Sequence, residues 1–238
     1  MKRFLVTWRN RDTQRTHPVG ALYVDGVFAF KYLDRLPGDF RPFINFPHFD
    51  QQYVSKSLFP FFSQRVMDSR RPDYAAYLEA LGLPPTATQL DVLGRSGGGR
   101  KGDTVEVVAE PAVNRDGSLD HKFLVRGVRY QQGNDDALNN LAEGDPLQLV
   151  AQPENQVNPR AQLVCRADGT RLGWMPDALL DYVLGLDSFN RELSVDRVNL
   201  EPWPSHMRLV ARLRAPSIVG GEAFADLFAH ERGVGLSR

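Results

Sequence analysis

The sequence predicts an α+β fold, mainly β, in two parts: an N-terminal strand-and-helix domain and a small β-barrel. Two observations carry this. After about residue 122 the chain breaks into many short strand-turn units with a single helix, which is how small barrels read. Before that point lies a polar stretch, "PAVNRDGSLDH" at 111–121, rich in Pro, Asn, Asp and Gly, which reads as a linker or exposed loop. The expected parts are therefore 1–110, a linker at 111–121, a barrel at 122–215 and a tail at 216–238 that forms a short helix over "GEAFADLFAHE".

In the first part, "VGALYVDGVFAFKYL" reads as a hairpin turning at Asp25 and Gly26, because Asp-Gly supplies the positive φ of a tight turn. "DFRPFINFPHFD" is rich in Phe and Pro and is expected to be irregular or an edge strand. "RPDYAAYLEALGL" reads as a helix, with Pro72 and Asp73 at its start and Gly82 at its end. Tyr74, Tyr77, Leu78 and Leu81 share one face at helical spacing.

In the second part, "KFLVRGVRY", "DPLQLVAQ", "AQLVCRADG", "TRLGWMP" and "MRLVARLRA" read as strands. "PDALLDYVLGL" reads as the helix, with Leu179, Leu180, Val183 and Leu184 as its apolar face.

Bulk properties narrow the function. The chain has 238 residues, 42% hydrophobic and 24% charged, as soluble globular proteins do. Net charge is zero. Residues 1–110 carry 15 Lys and Arg against 12 Asp and Glu, while 111–238 carry 14 against 17, so neither part is a strongly basic, nonspecific phosphate binder. In the second part 13 of the 14 bases are arginine, the better residue for planar phosphate or base contacts. No apolar run approaches the length of about 20 residues that spans a bilayer. The apolar stretch near the N-terminus is too short for a signal peptide. The single cysteine, Cys165, excludes an internal disulfide and fits a reducing, cytoplasmic setting.

The stretch "LGRSGGGRKGDT" at 93–104 invites a nucleotide-binding reading. A P-loop needs Gly, four residues, then Gly-Lys-Ser/Thr. Counting from Gly94 to Gly99 puts Arg100 and Lys101 at the last two positions; counting from Gly97 to Gly102 puts Asp103 and Thr104 there. Neither register works. Gly97, Gly99 and Gly102 fit Gly-x-Gly-x-x-Gly, but "DTVEVV" follows and reads as a strand, where a dinucleotide site needs a helix. The expectation is a turn leading into a strand.

Other chemistry is absent by motif. His17, His48, His121, His206 and His230 are scattered, so no zinc pairing is expected. No nucleophile elbow or kinase signature occurs. No catalytic residue, metal or cofactor is expected, and the chain reads as a non-enzyme.

Residues 123–215 resemble a HIRAN domain. The segments that carry the resemblance are "FLVRGVRYQQG", then "LAEGDPLQLVAQPENQVNPRAQLVCRADGTRLGWMP", then "ALLDYVLGL", in family order and spacing. The resemblance implies a small β-barrel of SH3/OB character that binds single-stranded DNA, in some members its 3′ end, in DNA repair, maintenance or defence. Arg129 and Tyr130 match the family's Arg-Tyr. Arginine can grip a phosphate bidentately, and tyrosine can stack a base. End-binding members carry Asn-x-Pro-Tyr-Asp in the next loop. Here "ENQVNPRA" keeps Asn155, while Val157 stands for the aromatic and Asn158 for the acid. Asn158 can still hydrogen-bond a hydroxyl, and Trp174 is the candidate replacement for the lost ring. The candidate nucleic-acid-binding set is thus Arg129, Tyr130, Asn155, Asn158 and Trp174. For each, an ordinary structural role competes: an Asx turn for the asparagines, core packing for the tryptophan.

Residues 1–110 resemble the N-terminal subdomain of HipA-type toxin kinases. The matching pieces are "VGALYVDGVFAFKYL", "LFPFFSQRVMDSRRPDYAAYLEALGL" and "LDVLGRSGGGRKGDTVEVV". The kinase core that follows in that family is not in this sequence. The resemblance implies an alternative reading, a toxin–antitoxin type regulator that docks on a separate HipA-like kinase. The candidate partner-binding residues are Phe59, Phe61, Phe62, Arg95, Arg100 and Lys101. Their rivals are core aromatics and solvated charges.

Overall fold

The structure is a computed structural model and describes residues 1–100, 102–131, 133–186 and 190–215. Lys101 and the tail helix expected in 216–238 lie outside the described residues.

The first sheet has five antiparallel strands in the order β4-β3-β2-β1-β5. They are β1 (Lys2–Arg9), β2 (Thr16–Val24), β3 (Phe28–Tyr32), β4 (Tyr53–Ser55) and β5 (Val105–Ala109). The expected hairpin is β2–β3, and Gly26 takes φ +72° in its turn. Gly20 is needed for packing: a Cβ there would lie 2.7 Å from the Phe30 ring. The Phe- and Pro-rich segment after β3 is irregular, as expected, and folds over one face of the sheet. Phe4, Phe30, Tyr32, Phe40, Phe46 and Phe62 are buried there with Leu22 and Leu93. The Tyr32 hydroxyl donates to the Phe46 carbonyl at 2.9 Å and accepts from the Phe43 N–H at 2.7 Å, which satisfies a buried polar group.

Three helices follow: α1 (Pro60–Ser63), α2 (Tyr74–Ala80) and α3 (Gln89–Ser96). Gly82 ends the α2 region at φ +63°, and Tyr74, Tyr77, Leu78 and Leu81 pack into one cluster as expected. The α3 helix corrects the reading of the glycine-rich stretch. Thr88 and Asp91 form a reciprocal capping box at its start, and Gly97 ends it in the left-handed conformation. Gly94 and Arg95 are therefore helical, and the turn towards β5 begins only at Gly97.

The second sheet has six strands in the order β6-β11-β10-β7-β8-β9. These are β6 (Leu119–Leu124), β7 (Pro146–Ala151), β8 (Gln162–Arg166), β9 (Arg171–Trp174), β10 (Glu192–Val198) and β11 (Leu209–Ala215). Its two ends meet. Arg126 donates its N–H to the Trp174 carbonyl at 2.8 Å and accepts the Trp174 N–H at 2.7 Å, so the sheet curls into a barrel. Gly173 allows the contact: its φ is +150°, and a Cβ would lie 2.5 Å from the Arg126 carbonyl oxygen. Two short helices, α4 (Asn134–Asn139) and α5 (Leu180–Gly185), accompany the barrel. On α5, Leu180 and Val183 are buried as expected, but Leu184 is 39% exposed.

The segment at 111–121 is not simply a linker. Val113 bridges to Leu119, the Asn114 N–H bonds to the Ser118 carbonyl at 2.8 Å, and Leu119 is buried as the first residue of β6. The two sheets also share a core. Leu5, Ala21, Leu33 and Val108 of the first part pack with Leu119, Val125, Leu172, Leu179 and Leu209 of the barrel. A second shared cluster joins Leu78, Leu81 and Val92 to Leu124, Met207 and Val210.

Candidate nucleic-acid interface

After β6 the chain does not continue as a strand to Tyr130. Gly127 takes φ +65°, and Val128–Tyr130 form a 3-10 turn. That turn buries Val128 and lifts its two neighbours out: Arg129 is exposed and Tyr130 is 70% exposed. The Arg129 guanidinium lies over the Tyr130 ring, 4.6 Å from its centroid, and donates to the Tyr130 hydroxyl. This cation–π pairing holds both side chains in place.

Trp174 ends β9 half-buried. Its ring converges with Tyr130 on Gly127: a Cβ there would lie 2.9 Å from Trp174 Cδ1 and 3.6 Å from Tyr130 Cδ2. The absence of a side chain at 127 lets the two rings approach. Three of the five expected residues, Arg129, Tyr130 and Trp174, thus meet at one rim of the barrel.

The two asparagines do something else. Asn155 Oδ1 accepts the N–H groups of Val157 and Asn158, both at 3.0 Å. Asn158 Nδ2 donates to Asp177 Oδ1 at 2.9 Å, and its Oδ1 accepts the Arg160 N–H at 3.0 Å. These are Asx turns that pin the loop to the 3-10 turn at Asp177–Leu179. Arg15 Nε, from the first part, clamps the same loop at the Val157 carbonyl (3.1 Å). Burial raises the Asp177 pKa, which the Asn158 hydrogen bond partly opposes. The asparagines shape the loop, the Asx-turn role that competes with their expected contact to a bound hydroxyl.

Sequence reasoning missed two neighbours of the rim. Arg126 reaches Glu106 of β5 at 3.3 Å, and its Nε is buried without a hydrogen-bond partner. His206 lies in the 3-10 turn Ser205–Met207 that packs against the Arg129 turn. Burial, then the positive charges of Arg126 and Arg129, push its pKa down. Arg126 sits inside "FLVRGVRYQQG" without a role assigned to it, His206 falls in no motif, and only the fold brings the two to the rim.

The partner-binding set fares differently. Phe62 is fully buried, and Phe59 and Phe61 pack half-buried on the same core. Phe61 stacks on Phe43 at 4.7 Å and carries Arg65 over its ring. Phe62 is thus core, while Phe59 and Phe61 pack on it and keep part of their surface exposed. Arg95 is mostly buried, with Nη1 donating to the Leu81 carbonyl at 2.9 Å. Arg100 is exposed. The glycine-rich turn is held from within: Arg65, nearly inaccessible, binds the Gly98 carbonyl at 3.2 Å and Asp103 at 2.5 Å.

Among the described residues, no cluster of three or more His, Cys, Asp or Glu is placed to hold a metal ion, and no helix is long and apolar enough to cross a membrane.

No protein-family model and no curated protein matches the chain. Two similar solved structures are a protein from Lactobacillus plantarum and the HIRAN domain of human HLTF. The first aligns at 19% identity and a TM-score of 0.33, over 42% of this chain and 97% of that one. The second aligns at 20% identity and a TM-score of 0.29, over 51% of this chain and 93% of that one.

Proposed function

We propose that this chain is a nucleic-acid-binding accessory protein, without catalysis of its own, that docks single-stranded DNA ends on the Arg129–Tyr130–Trp174 rim. The observation that carries the reading is Tyr130. Among the described residues of the barrel it is the one aromatic ring held largely in solvent, and Arg129 braces it. Base–aromatic stacking contributes about 1–3 kcal/mol per base and needs few charges, which suits a part with more acids than bases. Arg129 then leaves the ring for a backbone phosphate, and Trp174 supplies the second apolar wall. The resemblance of 123–215 to HIRAN domains points to the same rim.

With Asn155 and Asn158 committed to their loop, recognition of the terminal sugar rests on the rim alone. Discrimination between a free and a blocked 3′ end is therefore weak. The test is fluorescence polarisation with labelled single strands bearing free or phosphorylated 3′ ends, compared with a hairpin duplex. Single strands should bind better than duplex, Tyr130→Ala should abolish the difference, and affinity should fall gently with salt. Equal binding of single strand and duplex, unaffected by Tyr130→Ala, rejects the reading.

A further inference from the structure

A cavity of about 640 Å³ opens where β1, α3 and β6 come together, away from the Tyr130 rim. Its size falls within the roughly 300–1,000 Å³ of small-molecule sites. Phe4, Leu83 and Leu90 give it apolar walls, and Arg95, His121 and Lys122 line the polar side.

Most charges around it are already paired. Arg3 binds Glu110 through two 2.6 Å hydrogen bonds, Lys2 meets Asp91 at 3.0 Å, and Lys122 meets Asp196 at 2.7 Å. Asp120 belongs to Arg212. Arg95 differs. Its hydrogen bond is to a neutral carbonyl, that of Leu81. Asp196, Asp91 and Asp120 act on it only at longer range, and burial lowers its pKa in spite of them. A desolvated guanidinium without a counter-ion in contact is unfavourable. Beside it, burial and the Arg95 charge hold His121 neutral, with its pKa pushed down to about 4. One guanidinium with no carboxylate in contact and one neutral imidazole thus share a cavity with apolar walls.

We propose that this cavity binds a small organic monocarboxylate. The carboxylate pairs with the Arg95 guanidinium in the bidentate geometry those two groups favour. The apolar body lies against Phe4, Leu83 and Leu90, and His121 adds a neutral hydrogen bond. A monoanion matches the Arg95 guanidinium, whose hydrogen bond goes to a neutral carbonyl. A phosphate dianion would bring a second negative charge among Asp91, Glu110 and Asp120, which also line the cavity. This site is independent of DNA binding at the rim.

The test uses benzoate as the probe on the wild-type full chain, with benzamide and inorganic phosphate for comparison. His121 imidazole resonances report the site, and the thermal midpoint reports binding. Benzoate should move the His121 resonances and raise the midpoint with a Kd on the order of 1 mM. Benzamide and phosphate should do neither, and Arg95→Gln should weaken benzoate at least tenfold. Equal responses to benzoate and benzamide, tighter binding of phosphate, or no His121 response in the wild type each overturn the proposal, whether or not the variant folds.

Discussion

The two sheets fill their cores with different side chains. The first buries rings: Phe30 lies 4.3 Å from Phe46 and 5.0 Å from Tyr32, centroid to centroid, and Phe40 and Phe62 complete the cluster. The barrel buries aliphatics: Leu124, Val125, Leu163, Val164, Leu172, Val195 and Leu209 are all nearly inaccessible. The difference changes what an aromatic residue means in each. In the first part, an abundance of phenylalanine is how a small sheet obtains a large apolar payload. In the barrel the core is complete without Tyr130, so an exposed ring there answers to something other than stability.

The largest effect that can break this comparison is Phe30→Ala. Removing a ring that is fully buried among others should cost about 3–5 kcal/mol, measured by urea unfolding. The two sheets share Leu5, Ala21 and Val108 with barrel residues, so the loss should appear in a single transition. A second transition, unaffected by the substitution, would show that the sheets unfold separately.

Next is Gly173→Ala. The added methyl meets the Arg126 carbonyl and Val125, and the backbone sits at φ +150°. The expected cost is about 1–3 kcal/mol, localised to the closure. Hydrogen exchange should speed up at the Arg126 and Trp174 amides and stay unchanged in β2 and β3. Faster exchange throughout would mean that the closure governs both sheets.

The pH dependence is smaller. His121 titrates near 4 in the folded protein and near 6.5 when unfolded. The unfolded chain therefore binds more protons between those values, and stability falls as pH drops from about 6.5 towards 4. His206, also depressed by burial, adds in the same direction. The loss should be about 1–2 kcal/mol, since His121 keeps some solvent contact. His121→Gln should flatten most of that slope. An unchanged slope would place the titrating group elsewhere.

Local signals were legible and closures were not. The Asp25-Gly26 hairpin and the Tyr74–Ala80 helix followed from turn chemistry and spacing. The α3 capping box, Thr88 to Asp91, was also written in the sequence, but the glycines after it drew the reading towards a loop. β10 (Glu192–Val198) was missed because its charged residues interrupt the alternation; Asp196 is buried there in an ion pair with Lys122. The Phe-rich stretch shows why composition alone does not separate a core from a docking surface: both call for the same side chains, and only the chain's path over the sheet decides. At the rim, Arg129 and Tyr130 were found, but as strand residues. Arg126 and His206 were not found, because their roles depend on a curled sheet that brings Trp174 beside Gly127.

The smallest stability effect is the most telling. Tyr130→Ala removes a ring that is 70% exposed, so unfolding free energy should change by less than about 0.5 kcal/mol. The same substitution should weaken single-stranded DNA binding by about 5–100-fold, the equivalent of one stacked base. Phe30→Ala should do the reverse: it costs stability and leaves the affinity of the folded fraction intact. If Tyr130→Ala also destabilised by 1 kcal/mol or more, the ring would be packing against Trp174 and Gly127 for structural reasons. The contrast between a first part that consumes its aromatics and a barrel that displays one would then fail.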